Sequence, residues 1–240
     1  MRIVGFVKTS LIEWPGKISS VIFTPGCNFR CPFCHNAGLV NIDKAKRLSR
    51  IDEKQILTDL RKRKKWVEAV AITGGEPTLQ AGLSKFLSKL KKMGFLIMLE
   101  TNGSRPEIVT KLQGEKLVDY WSMDLKGDFT NYLKFIGVKD ENIVERVKKS
   151  VRLILESGVE YEFRTTVVPG LHDLNNLKKL AKQVALPADR LKTKWFLQQF
   201  RPVNTLDKKF LELKPFPEEQ MKIFQKEMQK IIPNTFLRGL

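Results

Sequence analysis

The stretch Thr24-Pro-Gly-Cys-Asn-Phe-Arg-Cys-Pro-Phe-Cys-His-Asn36 contains Cys27, Cys31 and Cys34, every cysteine of a 240-residue chain. Residues 21–24, Val-Ile-Phe-Thr, form an apolar run of strand length that leads straight into it. The same arrangement recurs outward along the chain. Residues 70–73 read as a strand ending in Gly-Gly-Glu-Pro, 95–100 as one ending in Thr-Asn-Gly, and 119–124 as one ending in Leu-Lys-Gly. Residues 160–168 form a fifth strand, closed by Pro169-Gly170, and 195–200 a sixth. Amphipathic stretches lie between them. Asp52 caps a helix to about residue 66, 80–93 carries Leu83, Phe86, Leu87 and Leu90 on one face, and Pro106 opens a short helix. Helices follow over 141–157, 173–184 and 217–232. A βα unit repeated about six times predicts an α/β fold with parallel strands and right-handed crossovers. Without a glycine-rich dinucleotide fingerprint, the pattern predicts a partial (β/α)6 TIM-like barrel. Its core spans about 16–200, with a C-terminal extension over 201–240, in a single domain of 1–240. In such barrels chemistry collects on loops after the C-terminal ends of the strands. The cysteine loop, Gly-Gly-Glu-Pro, Thr-Asn-Gly and Asp-Leu-Lys therefore converge on one rim.

Composition narrows the class. Hydrophobic residues make up 42% of the chain, enough for a sizeable core. No apolar run approaches the ~18 residues of a membrane span, and the first residues lack the pattern of a secretory signal, so a cytoplasmic protein without a membrane partner is expected. In a reducing compartment three clustered cysteines point to metal rather than to disulfides. The net charge is +17, from 43 Lys and Arg against 26 Asp and Glu. It is compatible with a nucleic-acid surface, with docking of an acidic protein, or with a lysine-rich solvated surface. The run Arg-Lys-Arg-Lys-Lys at 61–65 lacks interleaved aromatic residues and suits a helix end.

The spacing Cys-x3-Cys-x2-Cys, followed by His35, admits three metal readings. One is a Cys3His zinc site. Another is c-type haem, because Cys31-Pro-Phe-Cys34-His35 has the C-x-x-C-H form. The third is a [4Fe–4S] cluster with three thiolate ligands and one open iron.

Cys27-x3-Cys31-x-Phe33-Cys34, with Gly-Gly-Glu-Pro at 74–77 after the next strand, resembles the signature of the radical S-adenosylmethionine (SAM) superfamily. Residues 14–36 resemble the opening of activators of anaerobic ribonucleoside-triphosphate reductase. Thr-Asn-Gly at 101–103 and Asp-Leu-Lys at 124–126 resemble segments of pyruvate formate-lyase activators. The similarity runs from about Trp14 to Arg201 and weakens after Pro169. It implies a [4Fe–4S] cluster on Cys27, Cys31 and Cys34, with SAM chelating the open iron and cleaved reductively to methionine and a 5′-deoxyadenosyl radical. It places Phe33 beside the adenine, with a core phenylalanine as the ordinary alternative. Gly74, Gly75 and Glu76 would hold the methionyl ammonium, against the alternative of a plain βα turn. Thr101 and Asn102 would face the methionine. Asp124 and Lys126 would meet a ribose hydroxyl and a carboxylate, unless they form only a strand-end ion pair. Arg164 matches an arginine near the SAM sulfur, and Arg164 and Lys126 are the catalytic candidates. His35 and Asn36 would orient the loop. Some of these activators bind a monovalent cation through an acid before Thr-Asn-Gly, where this chain has Glu100. Where pyruvate formate-lyase activators place a histidine on the last strand, this chain offers Phe200 or Arg201. His172, in a loop, reads as a surface residue.

The resemblance implies an activase that generates a glycyl radical on a partner enzyme, anaerobic ribonucleoside-triphosphate reductase before a pyruvate formate-lyase-like partner. The electron donor would be flavodoxin or ferredoxin. A tRNA-modifying radical enzyme and a structural zinc protein are the rival readings.

Overall fold

A computed structural model describes the chain except residues 42–44, 46 and 186–190. Eight strands form one sheet in the order β1 to β8: Gly5–Ser10, Ser19–Thr24, Ala69–Gly74, Leu96–Thr101, Tyr120–Asp124, Glu160–Val167, Trp195–Gln199 and Thr235–Arg238. β1 runs antiparallel to β2, and every later pair is parallel. The six expected strands are β2 to β7. β1 and β8 extend the sheet at its two edges, so residues expected outside the barrel core complete its ends.

The helices are α1 (Ala37–Val40), α2 (Glu53–Arg63), α3 (Leu83–Lys92), α4 (Pro106–Gly114), α5 (Tyr132–Ile136), α6 (Asn142–Leu155), α7 (Leu174–Val184) and α8 (Glu218–Gln229). Their starts follow from local chemistry. The Asp52 carboxylate accepts the Lys54 amide at 3.1 Å, and Asp173 accepts the Asn176 amide at 2.7 Å, each satisfying a donor that the helix leaves open. Ile56 and Leu60 of α2, Val147, Val151 and Ile154 of α6, and Leu177, Leu180 and Ala181 of α7 are buried against the sheet. Among the described residues no helix is long and apolar enough to cross a membrane.

The sheet is curled, as contacts across a skipped strand show. Glu100 on β4 meets Arg164 on β6 at 2.8 Å, and Arg238 on β8 meets Glu162 on β6 at 2.8 Å. Side chains from non-neighbouring strands touch only on the concave face of a rolled sheet. Period-two alternation then sorts the residues. Val70, Ile72, Ile97 and Leu99 point outward into the helix-covered core, whereas Ala69, Ala71, Met98 and Tyr120 point inward with Val21 and Trp14. No ladder joins β8 to β1 among the described residues, so the barrel is partial.

Candidate active site

The inward-facing residues change character toward the C-terminal ends of the strands. Below the cavity the inner face holds Val21, Ala69, Ala71, Met98 and Tyr120 with the Glu162–Arg238 pair, and the upper lumen holds Thr73, Glu100, Asp124 and Arg164. Above them lies a cavity of about 260 Å³. Every residue expected to bind metal or SAM lines it: Cys27, Cys31, Cys34, Phe33, Gly74, Gly75, Glu76, Thr101, Asn102, Asp124, Lys126 and Arg164. His35 and Asn36 line it too.

The cysteine loop is held from several sides. The Phe29 amide donates to Cys27 Sγ at 3.3 Å, and the Cys34 amide donates to the Cys31 carbonyl at 3.0 Å. The Arg30 guanidinium reaches back to the carbonyls of Cys27 and Phe29, at 2.6 and 2.7 Å. Asn28 donates to Ser104 Oγ at 2.8 Å and accepts from Asn102 Nδ2 at 3.0 Å, linking this loop to Thr-Asn-Gly. Asp207, from the C-terminal extension, donates its amide to the Pro32 carbonyl at 2.9 Å.

The two glycines of Gly-Gly-Glu-Pro serve loop-to-loop packing. The Gly75 amide donates to Thr24 O and the Glu76 amide to Gly26 O, both at 2.8 Å. A Cβ on Gly75 would stand 2.1 Å from Gly26 O, and one on Gly74 2.4 Å from Thr24 O. No side chain fits there, so this turn lies flush against the cysteine loop. Glu76 is buried and occupied: Thr78 N, Thr78 Oγ1 and Thr101 Oγ1 donate to Oε1, and Asn102 N donates to Oε2 at 2.7 Å. Burial raises its pKa, while the four hydrogen bonds favour the carboxylate. Its charge faces the cavity, and its oxygens tie the Gly-Gly-Glu and Thr-Asn-Gly loops together.

An ionic row crosses the floor. Arg164 donates two parallel hydrogen bonds to Glu100, both 2.8 Å, and a third from Nε to Asp124 at 3.1 Å. Lys126 Nζ closes the row on the other oxygen of Asp124 at 3.0 Å. Thr73 Oγ1 donates to Glu100 at 2.5 Å. Both Glu100 oxygens are thus engaged, and a guanidinium covers the acid that precedes Thr-Asn-Gly, the position considered for a cation. Burial opposes ionisation of Asp124 but is outweighed by Arg164 and Lys126, which bring its pKa to about 2. Glu100 is likewise held below the ordinary carboxylate range, burial being outweighed by Arg164. Glu13, from the loop after β1, also lines the cavity; burial and then the Glu100 charge push its pKa up to about 8. At neutral pH Glu13 is the protonated member of this group.

Two expectations are corrected. His172 is buried, not on the surface, at 3% exposure. The turn after Pro169-Gly170 folds inward, and the imidazole gains partners on both nitrogens: Val168 N donates to Nδ1 at 3.1 Å, and Nε2 lies 2.9 Å from Lys126 O. On the last strands, Phe200 packs in the outer core and Arg201 is exposed; Gln198 is the residue that faces the cavity. Period-two alternation explains this, because Gln198 stands in register with the inward-pointing Arg238. Sequence reading also missed Glu13, Asn28, Thr73 and Gln198. Asn28 lies inside the quoted loop and Glu13 beside Trp14-Pro-Gly, but neither carries a spacing that marks it.

The residues fit an iron–sulfur cluster. Three thiols line one cavity. Without metal, burial pushes Cys27 and Cys31 up to about 12, with the Glu76 charge adding at Cys27, and burial raises Cys34 as well. Such thiols become thiolates only with a cationic centre beside them. The Phe29 N–H aimed at Cys27 Sγ is the contact a ligating sulfur accepts.

Residues 21–183 match the family model of the radical SAM superfamily. The chain belongs to that superfamily. Its members use a [4Fe–4S] cluster and SAM, and the enzyme is a radical SAM oxidoreductase. It is 34% identical, over 98% of its length and 95% of the relative's, to a Methanocaldococcus jannaschii protein provisionally named a glycyl-radical enzyme activating enzyme. It is 26% identical, over 96% of its length and 98% of the relative's, to the pyruvate formate-lyase-activating enzyme of Clostridium pasteurianum. Its fold matches that of Streptococcus suis SuiB bound to S-adenosylmethionine, with a TM-score of 0.65 and 18% identity. That match covers 92% of this chain and about half (52%) of SuiB.

Proposed function

We propose that this radical SAM enzyme activates a glycyl-radical enzyme, with an anaerobic ribonucleoside-triphosphate reductase as the preferred partner. The observation that carries this reading is the convergence of Cys27, Cys31 and Cys34 with the Gly-Gly-Glu, Thr-Asn-Gly and Asp-Leu-Lys loops on one cavity. The near full-length similarity to a protein of the activating class supports it.

In this reading Cys27, Cys31 and Cys34 hold the cluster. When bound, the cluster and SAM supply one electron and a 5′-deoxyadenosyl radical that removes a hydrogen atom from a glycine Cα. The chain's residues do the positioning. Gly74 and Gly75 leave main chain rather than side chain on one wall, and Glu76 sets negative charge behind it, where an ammonium group is favoured. Phe33 presents an aromatic ring to the cavity for a purine. Asp124 and Lys126 offer an acceptor and a donor at the end of β5 for a ribose hydroxyl and a carboxylate. Arg164 keeps Glu100 and Asp124 ionised. The row Glu100, Arg164, Asp124 and Lys126 carries two charges of each sign, so the floor is neutral while Glu13 holds its proton. An acidic flavodoxin or ferredoxin suits the basic surface as electron donor.

The test is anaerobic reconstitution with iron and sulfide, followed by dithionite, SAM and the candidate reductase. Release of 5′-deoxyadenosine with a glycyl electron-paramagnetic doublet on the reductase is the expected outcome. Deoxyadenosine release without any glycyl signal would move the substrate elsewhere, and no release at all would overturn the reaction class.

A further inference from the structure

His172 is the one buried imidazole in the described fold, and the function so far gives it no task. Its surroundings specify its state. The Val168 N–H points at Nδ1, so Nδ1 accepts, the proton sits on Nε2, and Nε2 donates to the Lys126 carbonyl. The ring packs edge-on to Phe33, centroids 6.4 Å apart at 75°, and lies 4.9 Å from the Phe135 ring. Lys126 is gripped at both of its peptide groups: its N–H lies 3.4 Å from Tyr132 Oη, and its C=O receives His172. With both peptide planes fixed, the ammonium is directed to Asp124 at 3.0 Å, on the side of the cavity where Cys31 and Cys34 lie. One ring thus connects the exit of β6, the loop after β5 and the aromatic residue of the cysteine loop.

We propose that His172 is a positioning residue for the cofactor cavity: by clamping the Lys126 carbonyl to the end of β6 and backing Phe33, it sets the two side chains between which SAM is held. The proposal rests on the radical SAM reading of that cavity. Imidazole suits the task because it offers one donor and one acceptor on opposite sides of a flat ring. Burial holds the ring neutral by lowering its pKa to about 4, against the pull of its main-chain partners at Lys126 and Val168 and of the Asp173 and Asp128 charges. No second cation is therefore brought up to Lys126.

Three variants separate the contacts. Gln places an amide N–H where Nε2 stands, Asn places an acceptor where Nδ1 stands, and Phe keeps the ring without either. SAM affinity is measured by equilibrium binding to oxidised, reconstituted protein without reductant, so that turnover plays no part. His172→Gln is expected to stay within about threefold of the natural protein. His172→Asn and His172→Phe are expected to raise Kd about tenfold, the loss of one well-placed hydrogen bond. Long-range nitrogen–proton spectra of the unloaded protein should show the Nε2–H tautomer at one of its two histidines, the signal absent from His172→Gln. Equal SAM affinity for Gln and Asn variants that melt cooperatively would overturn the proposal, as would an Nδ1–H or rapidly exchanging imidazole. If His172→Phe fails to fold, the Gln–Asn contrast still decides. If the natural protein itself binds no SAM, the family-level reading has failed, and the tautomer measurement decides on His172 independently.

Discussion

Gly75 concentrates the argument at the residue scale. A methyl group there would overlap the Gly26 carbonyl, and neither loop can retreat without breaking the 2.8 Å bonds that join them. Gly75→Ala should cost about 2–4 kcal/mol, the scale of overpacking or strain at a special position. It should lower the melting temperature by roughly 5–10 °C and reduce iron uptake on reconstitution; unchanged melting and iron content would refute the close approach. Glu13 gives the second prediction. Its carboxyl titrates near about 8 in the fold but near ~4.3 in an unfolded chain. The folded state keeps a proton that the unfolded state releases between those values. Its contribution is therefore fully present below about pH 4 and lost as pH rises to about 8. Glu13→Gln should flatten that decline, with a gain of roughly 1–2 kcal/mol at pH 8 after allowing for partial exposure; denaturant melts at pH 5 and pH 8 check it. The cysteines were legible because spacing is written in the chain. The partners of Glu76 and His172 were not, because tertiary burial selects them, and a loop histidine read from sequence looks solvated.

At the scale of elements, β2 to β7 were legible from their apolar runs, and their ends carried the motifs. β1 and β8 were not. β1 is partly exposed, with burial that does not alternate, and β8 has only four residues. Edge strands such as these are specified by pairing with a neighbour more than by pattern. α5 serves the site without lining the cavity. It ends at Gly137, in the left-handed region at φ +64°, and a Cβ there would lie 2.3 Å from Arg30 O. The Ile136 carbonyl accepts the Arg30 amide at 2.7 Å. The helix end therefore braces the middle of the cysteine loop. Gly137→Ala should shift that loop, lowering iron bound per chain by half or more, while far-ultraviolet dichroism stays near that of the natural protein. Full iron occupancy would show that the brace is dispensable.

For the whole molecule, the rolled sheet brings four loops that are distant in sequence to one cavity, and the sequence foretold that convergence from strand order alone. It also set the basic run at 61–65 at a helix end, where that run lies. Arg61, Lys62 and Arg63 end α2, and Lys89, Lys91 and Lys92 end α3, at the end of the barrel away from the cavity. The Arg164–Glu100 pair at the cavity floor is buried, with side-chain exposures of 8% and 11%, and Asp124 and Lys126 beside it are half-buried. Salt screens exposed charges far more than buried ones. SAM affinity should therefore change less than about threefold between 50 and 500 mM salt, and a steeper slope would place the surface charge in SAM binding.

The central claim is that Cys27, Cys31 and Cys34 would ligate three irons of a [4Fe–4S] cluster and leave the fourth open to SAM. Mössbauer spectroscopy of protein reconstituted with iron-57 tests it directly. Before SAM, about four irons per chain should form one oxidised cluster; on adding SAM, one iron site in four should shift to a higher isomer shift while three stay unchanged. Four irons that ignore SAM, or a chain that takes up no iron, would contradict the account.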